Sequence, residues 1–294
     1  MKTIGVIGSG TMGNGIAHVF AQGGYEVHLI DIKQGALDKA LATIAKNFDR
    51  QIAKGRIEET VKADSLKRIS TYTNVLTGVE GCDLVIEAAT ERVDLKKKIF
   101  QEMDQAAPEH CILATNTSSI SITELAASTK RPDKVIGMHF MNPVPVMKLV
   151  EIINGYSTSK EVTDTIEKLS KDIGKIPAMA NDYPGFIANR ILMPMINEAV
   201  YTLFEGVGGV EEIDTVMKLG MAHPMGPLQL ADFIGLDVCK AILDVLYAGF
   251  GNPKYAPCPL LVNMVNAGKL GIKSGEGFYD WSHGTKELVV SSSF

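Results

Sequence analysis

Residues 5–16 read GVIGSGTMGNGI, and this stretch decides the fold class. A β-branched apolar run, TIGVIG, leads into Gly8-Ser9-Gly10-Thr11-Met12-Gly13, and a helical run, NGIAHVFAQGG, follows. A G-x-G-x-x-G match alone is weak evidence, but placed between a strand and a helix it has the context that phosphate binding requires. Gly8 permits the tight turn, Gly10 lets backbone approach a pyrophosphate, and Gly13 allows close helix packing. The helix N-terminus that follows Thr11 and Met12 turns free N–H groups and a positive dipole end toward the phosphates. A second strand, YEVHLID, ends at Asp31, about twenty residues on, where a carboxylate accepts from the adenosine ribose 2′-OH and repels a 2′-phosphate. The order strand, loop, helix, strand, acid predicts dinucleotide binding, with NAD (NADH) favoured over NADP, although Lys33 lies close by.

The pattern continues outward. The runs CDLVIEAA, CILATNT and KVIGMHF are apolar throughout, as strands buried on both faces of a parallel sheet are. Strands alternating with helical stretches predict an α/β fold, a Rossmann-type doubly wound sheet. The long interval ALDKALATIAKNFDRQIAKGRIEETVKADS exceeds a single crossover and predicts a helical hairpin insertion projecting from the sheet, broken at Gly55. From Pro184 the β signal fades. FIANRILMPMINEAVYTLFEG, closing at Gly206, then VEEIDTVMKLG and PLQLADFIGLDVCKAILDVLYAGFG, predict an all-helical second domain. The expected boundary gives a dinucleotide-binding domain over 1–183 and a helical dimerisation and substrate domain over 184–294. Helices with so little polar face must bury against one another or a second subunit, so a homodimer is expected. The final GTKELVVSSSF reads as a loose tail.

With 294 residues the chain is long enough for two cores. A net charge of −5 with dispersed basic residues argues against nucleic acid as a main partner. The start runs directly into the glycine motif, so no signal peptide is expected, and no apolar run reaches the length of a membrane span. The four cysteines show no metal-ligand spacing, so no metal site is expected. They read as thiols in a reducing cytoplasm.

A second stretch carries chemistry. IGMHFMNPVPVMKLVEII holds one histidine, His139, and one glutamate, Glu151, in apolar surroundings. If its two halves pair antiparallel about Pro145, both residues stand six positions from the centre and become cross-strand neighbours, with Cβ atoms about 5 Å apart. Such a pair is either structural or an acid–base histidine held by its carboxylate. Ser118 follows CILATNT at the carboxyl edge of the sheet, where α/β proteins bind ligands; it can also be a helix cap, as can Ser119 or Ser121. His18, His28, His110 and His223 read as structural or exposed.

With these motifs together, the chain resembles the L-3-hydroxyacyl-CoA dehydrogenase family up to about Trp281. The resemblance rests on GSGTMG, NTSSISI, GMHFMNPVPVMKLVEII, PGFIANRILMPMINEA, HPMGPLQLADFIGLD and GIKSGEGFYDW. It implies hydride transfer between NAD and a short-chain 3-hydroxyacyl-CoA, the acetoacetyl-CoA/(S)-3-hydroxybutyryl-CoA pair. It implies that His139 is catalytic with Glu151 its partner, and that Ser118 and Asn189 contact the reacting oxygen. Asn189 also reads as a polar residue in the first turn of a helix. The resemblance assigns cofactor contacts to Glu91, Lys96, Asn116, Asn142 and Lys273. It assigns Arg50 and Lys54, in the hairpin, to the CoA moiety, while a solvated basic face explains those two nearly as well. Arg92 departs from the small polar residue expected there. Two alternatives remain: a dehydrogenase of a free hydroxy or sugar acid, or a noncatalytic dinucleotide-binding or structural protein.

Overall fold

Apolar β-branched runs punctuated by glycine build the first of two units, Met1–Tyr183, in a computed structural model that describes residues 1–285 and 287–294. Its elements run β1 (Thr3–Ile7), α1 (Thr11–Gln22), β2 (Glu26–Ile30), α2 (Gln34–Ala53), α3 (Glu59–Lys67), β3 (Ile69–Tyr72), α4 (Val75–Gly78), β4 (Leu84–Glu87), α5 (Val93–Ala106), β5 (Ile112–Thr115), α6 (Ile122–Ala126), β6 (Val135–Phe140), β7 (Leu149–Asn154), α7 (Lys160–Asp172) and β8 (Ile176–Asn181). They form an eight-stranded sheet in the order β3-β2-β1-β4-β5-β6-β7-β8. Every neighbouring pair is parallel except β6 and β7. The reversal of order beside β1 is the topological switch point, so ligands are expected at the carboxyl edge there. β4, β5 and β6 are buried at every position, which is why their sequences show no alternation.

The helical hairpin is present as α2 and α3, separated by Gly55 at φ +64°. Its base packs against α1, and its tip from Ala53 to Arg56 is exposed. Leu37, Ala40, Ile44 and Phe48 of α2 bury in the same core as β1 and α1, and each fully buried large side chain contributes about 1.5–3 kcal/mol. The four-residue spacing of Ala40, Ile44 and Phe48 forces one face inward and leaves the opposite face to solvent.

The second unit, Pro184–Phe294, contains α8 (Ala188–Phe204), α9 (Val210–Thr215), α10 (Pro227–Ile234), α11 (Leu236–Phe250), α12 (Pro259–Asn266), β9 (Tyr279–Asp280) and β10 (Val289–Val290). The run expected as one helix from Pro227 breaks at Gly235, whose φ of +102° no other residue adopts easily. Two buried aspartates organise this unit. Asp214 accepts from Leu228 N and Gln229 N at the start of α10 and from Tyr279 Oη. Asp232 accepts from Phe278 N, Tyr279 N and Trp281 Nε1, and burial pushes its carboxyl up to about 6 against those donors. The motifs HPMGPLQLAD and GEGFYDW thus bind one another. The expected loose tail is a correction: Val289–Val290 pairs antiparallel with Tyr279–Asp280, and Ser291 is buried. Lys286, within that stretch, lies outside the described residues. Among the described residues no helix is long and apolar enough to cross a membrane.

Candidate active site

The phosphate loop joins β1 to α1, and its glycines are there for space. A Cβ on Gly13 would lie 1.7 Å from Gly8 O, and one on Gly8 (φ +94°) would meet Ala88 O at 2.7 Å. At Gly10 a Cβ would meet nothing within 4 Å, so the peptide faces open space where a pyrophosphate fits. Thr11 and Met12 are the first residues of α1. Asp31 stands at the end of β2 and is tied to the loop, with Oδ2 accepting from Ser9 N at 2.9 Å and Ser9 Oγ at 2.7 Å. Oδ1 accepts from Lys33 N at 3.2 Å. A groove of about 520 Å3 runs past Gly8, Gly10, Asp31, Ile32 and Ala89, with the loop on one side and a carboxylate poised for ribose hydroxyls. These residues fit a dinucleotide.

A second groove, about 500 Å3, shares Gly10 and Asp31 with the first. It is lined by α2, through Lys39, Thr43 and Asn47, and by the segment Asn142–Pro145 after β6. That segment is tethered by the buried Lys175, which donates to Val144 O at 2.5 Å and Met147 O at 2.7 Å. Arg50 and Lys54 do not line this groove. They are exposed on α2 and its C-cap, extending the row of Lys39, Thr43 and Asn47, and Arg50 donates to Asn47 Oδ1 at 3.2 Å. The sequence reading missed those three residues, although their four-residue spacing places them on one helical face.

At the carboxyl edge, the antiparallel register pairs His139 of β6 with Glu151 of β7, as counting inward to Pro145 predicts. His139 Nδ1 stands 2.7 Å from Glu151 Oε2, with His139 9 % and Glu151 2 % exposed. Pairing through Nδ1 fixes the orientation of the ring. Asn116, just past β5, accepts from Phe140 N at 2.9 Å and so binds the ends of β5 and β6 together beside His139.

Ser118 lies two residues beyond Asn116. It does not cap the helix that follows: Ser121 caps α6, accepting from Glu124 N. Ser118 is instead held by Glu91, whose Oε1 accepts from Ser118 N at 3.0 Å, Thr117 Oγ1 at 2.5 Å and, at 3.4 Å, Ser118 Oγ. Burial would raise the Glu91 carboxyl, but Lys96 and the Thr117 and Ser118 donors outweigh it and hold it below the usual range. Lys96 lies 3.2 Å from Glu91 Oε2 and is itself 1 % exposed, bound also to Glu87. The sequence reading gave Glu87 no part, because it looked like a strand residue.

In the second unit, Asn189 is buried in the first turn of α8, following the positive-φ residues Gly185 and Phe186. Lys273 is ion-paired with Asp237. Among the described residues no cluster of His, Cys, Asp and Glu could hold a metal.

Residues 3–183 match the family described as 3-hydroxyacyl-CoA dehydrogenase, NAD binding domain, and residues 185–281 match 3-hydroxyacyl-CoA dehydrogenase, C-terminal domain. The chain is 54 % identical to a 3-hydroxybutyryl-CoA dehydrogenase of Clostridioides difficile, over 95 % of this chain and 99 % of that one. It is 42 % identical to the human mitochondrial hydroxyacyl-coenzyme A dehydrogenase, over 96 % of this chain and 91 % of the relative. The crystal structure of (S)-3-hydroxybutyryl-CoA dehydrogenase from Ralstonia eutropha superposes with a TM-score of 0.92 at 52 % identity, covering 94 % of this chain and 98 % of that one. The chain, with its dinucleotide loop and its paired histidine and glutamate, therefore belongs to the 3-hydroxyacyl-CoA dehydrogenase family and is an NAD-dependent oxidoreductase.

Proposed function

We propose that the protein interconverts acetoacetyl-CoA and (S)-3-hydroxybutyryl-CoA. The observation that carries this reading is the 2.7 Å bond between His139 Nδ1 and Glu151 Oε2 at the carboxyl edge of the sheet, in a chain whose relatives bear that substrate's name. NAD(H), when bound, supplies the acceptor or donor of the hydride exchanged at C3. His139 Nε2 takes the C3 hydroxyl proton in oxidation and returns a proton to the C3 oxygen in reduction. Glu151 holds the tautomer and stabilises the imidazolium. Ser118 Oγ hydrogen-bonds the C3 oxygen, and Asn189 is the neutral donor to its developing negative charge.

Gly8, Gly10, Thr11, Met12 and Gly13 hold the pyrophosphate, and Asp31 holds the adenosine ribose. Glu91, Lys96, Asn116, Asn142 and Lys273 serve the nicotinamide half, Lys96 and Asn116 through the bonds they make within the first unit. The α2 face from Lys39 to Lys54 grips the CoA moiety, a clamp that a free hydroxy or sugar acid does not need. The cytoplasm is the compartment, and fatty acid or butyrate metabolism the setting.

The enzyme acts as a homodimer through its helical unit. That unit exposes Val207, Val216, Leu219 and Met221 and carries an apolar cavity of about 490 Å3 lined by Ala199, Val207, Ile213 and Val216. Apolar surface of this kind marks an interaction site.

Steady-state kinetics test the reading. Acetoacetyl-CoA is expected to be reduced with a higher kcat/KM than longer 3-ketoacyl-CoA esters, and NADH to be preferred over NADPH. Failure to turn over any 3-ketoacyl-CoA would overturn it.

A further inference from the structure

Glu87 closes β4 and takes no part in the chemistry above, yet it is 0 % exposed and surrounded by donors. Its carboxylate accepts from Ala89 N at 2.6 Å, from Thr115 Oγ1 at 2.7 Å and from Lys96 Nζ at 2.8 and 2.7 Å. Taking an ion pair out of water costs several kcal/mol per ion, and an apolar pair of similar volume is often as stable. Stability is therefore a poor reason for such a pair. Its position supplies a better one.

Lys96 reaches from Glu87 to Glu91, and Glu91 holds the segment that contains Ser118. Glu91 is 38 % exposed, so without a fixed counter-charge its side chain would be free to turn into solvent. Ser118 N and Thr117 Oγ1 would then lose their shared acceptor. The bonds thus form one chain, Glu87 to Lys96 to Glu91 to Ser118. It ties the β4–α5 connection to the β5–α6 connection at the edge where ligands bind, and its anchored end is Glu87. Thr115 Oγ1 strengthens that end from β5 and also accepts from Thr117 N at 3.1 Å, so both strands hold the same carboxylate and the same segment.

We propose that Glu87 is a positioning residue for the reaction, fixing Lys96 and through it Glu91, so that Ser118 is held where it meets the C3 oxygen. The proposal rests on the role given to Ser118 above. Glu87→Gln keeps the shape but removes the charge and turns an amide N–H2 toward donors. Displacing a reacting group by an ångström can cost about a hundredfold, so kcat for acetoacetyl-CoA reduction is expected to fall about tenfold or more. Because Lys96 and Glu91 also serve the nicotinamide half, the Kd for NADH, read by fluorescence titration, is expected to rise, but by clearly less than kcat falls.

Because Glu87 acts through Ser118, the double mutant Glu87→Gln/Ser118→Ala should be hardly slower than Ser118→Ala alone, whereas a residue that merely supports the fold gives additive losses. Unchanged kcat in Glu87→Gln, an equal loss of NADH affinity, or additive losses would each overturn the proposal. If Glu87→Gln does not fold, Glu87→Asp keeps the charge but withdraws it from Lys96, and the same non-additivity with Ser118→Ala decides the matter. Full activity of Ser118→Ala by itself would remove the reading of Ser118; a slow Ser118→Ala with additive losses removes only the role of Glu87.

Discussion

His139 and Glu151 sit where either side chain alone would cost free energy to bury, and the bond between them removes most of that cost. As an acid–base unit they should fail together. His139→Ala and Glu151→Gln are each expected to lower kcat by about 10²- to 10⁴-fold. The double mutant should be little worse than the slower single mutant. Full activity of Glu151→Gln would make the pair structural. Pro145 gave the pairing away in the sequence, since antiparallel counting needs only a centre and a two-residue period. Ser118 was harder to read. Its neighbours Ser119 and Ser121 compete for the same capping role by residue type, and only the placement of Glu91 and of the α6 start separated them.

Helix α1 meets α2 through His18, whose ring stacks on Phe48 with centroids 4.0 Å apart. Its Nε2 lies 2.8 Å from Gln51 Nε2, while Nδ1 has no hydrogen-bond partner among the described residues. Burial lowers the imidazole to about 4, with Gln22 opposing and Lys175 adding to the effect. In the native state the ring stays neutral down to that pH, whereas the unfolded chain takes up its proton near 6.5. The unfolded state therefore binds more protons between about 4 and 6.5, so the stabilisation is complete above 6.5 and is lost as pH falls toward 4. The loss is of the order of 3 kcal/mol. Thermal unfolding from pH 7 to 4.5 should show a steep fall in Tm that His18→Gln flattens. An equal slope in both proteins would sink this account. At this scale the hairpin was legible, because its stretch is too long and too helical for a single crossover. The buried face of Leu37, Ala40, Ile44 and Phe48 was present in the sequence, but the partner that covers it was not.

For the molecule as a whole, self-association is the expectation that the helical unit makes. Leu219 is 82 % and Val207 75 % exposed, Val207 and Val216 line an apolar cavity, and exposed apolar side chains of this kind call for a partner surface. Leu219→Arg combined with Val216→Arg should shift sedimentation from dimer to monomer at micromolar concentration. A wild-type protein that sediments as a monomer would contradict the proposal. The buried aspartates Asp214 and Asp232 bear on the same unit from within, since they join helices to residues about 50 or 65 positions away in the chain.

What the sequence determined by itself was whatever has a short period or a local geometric demand. The glycine loop needed its glycines because backbone approaches backbone there, buried strands needed continuous apolar runs, and Asp31 had to fall where the second strand ends. The His139–Glu151 register followed from counting along one hairpin. What the tertiary structure decided were contacts between segments far apart in the chain, which no periodicity encodes. Glu87 reads as an odd polar residue in a strand until Thr115, Lys96 and Glu91 are brought beside it. Asp232 reads as a helix residue until Phe278, Tyr279 and Trp281 close on it. Burying a charged group is tolerable only when its partners arrive at the same place, and that place exists only once the chain has folded.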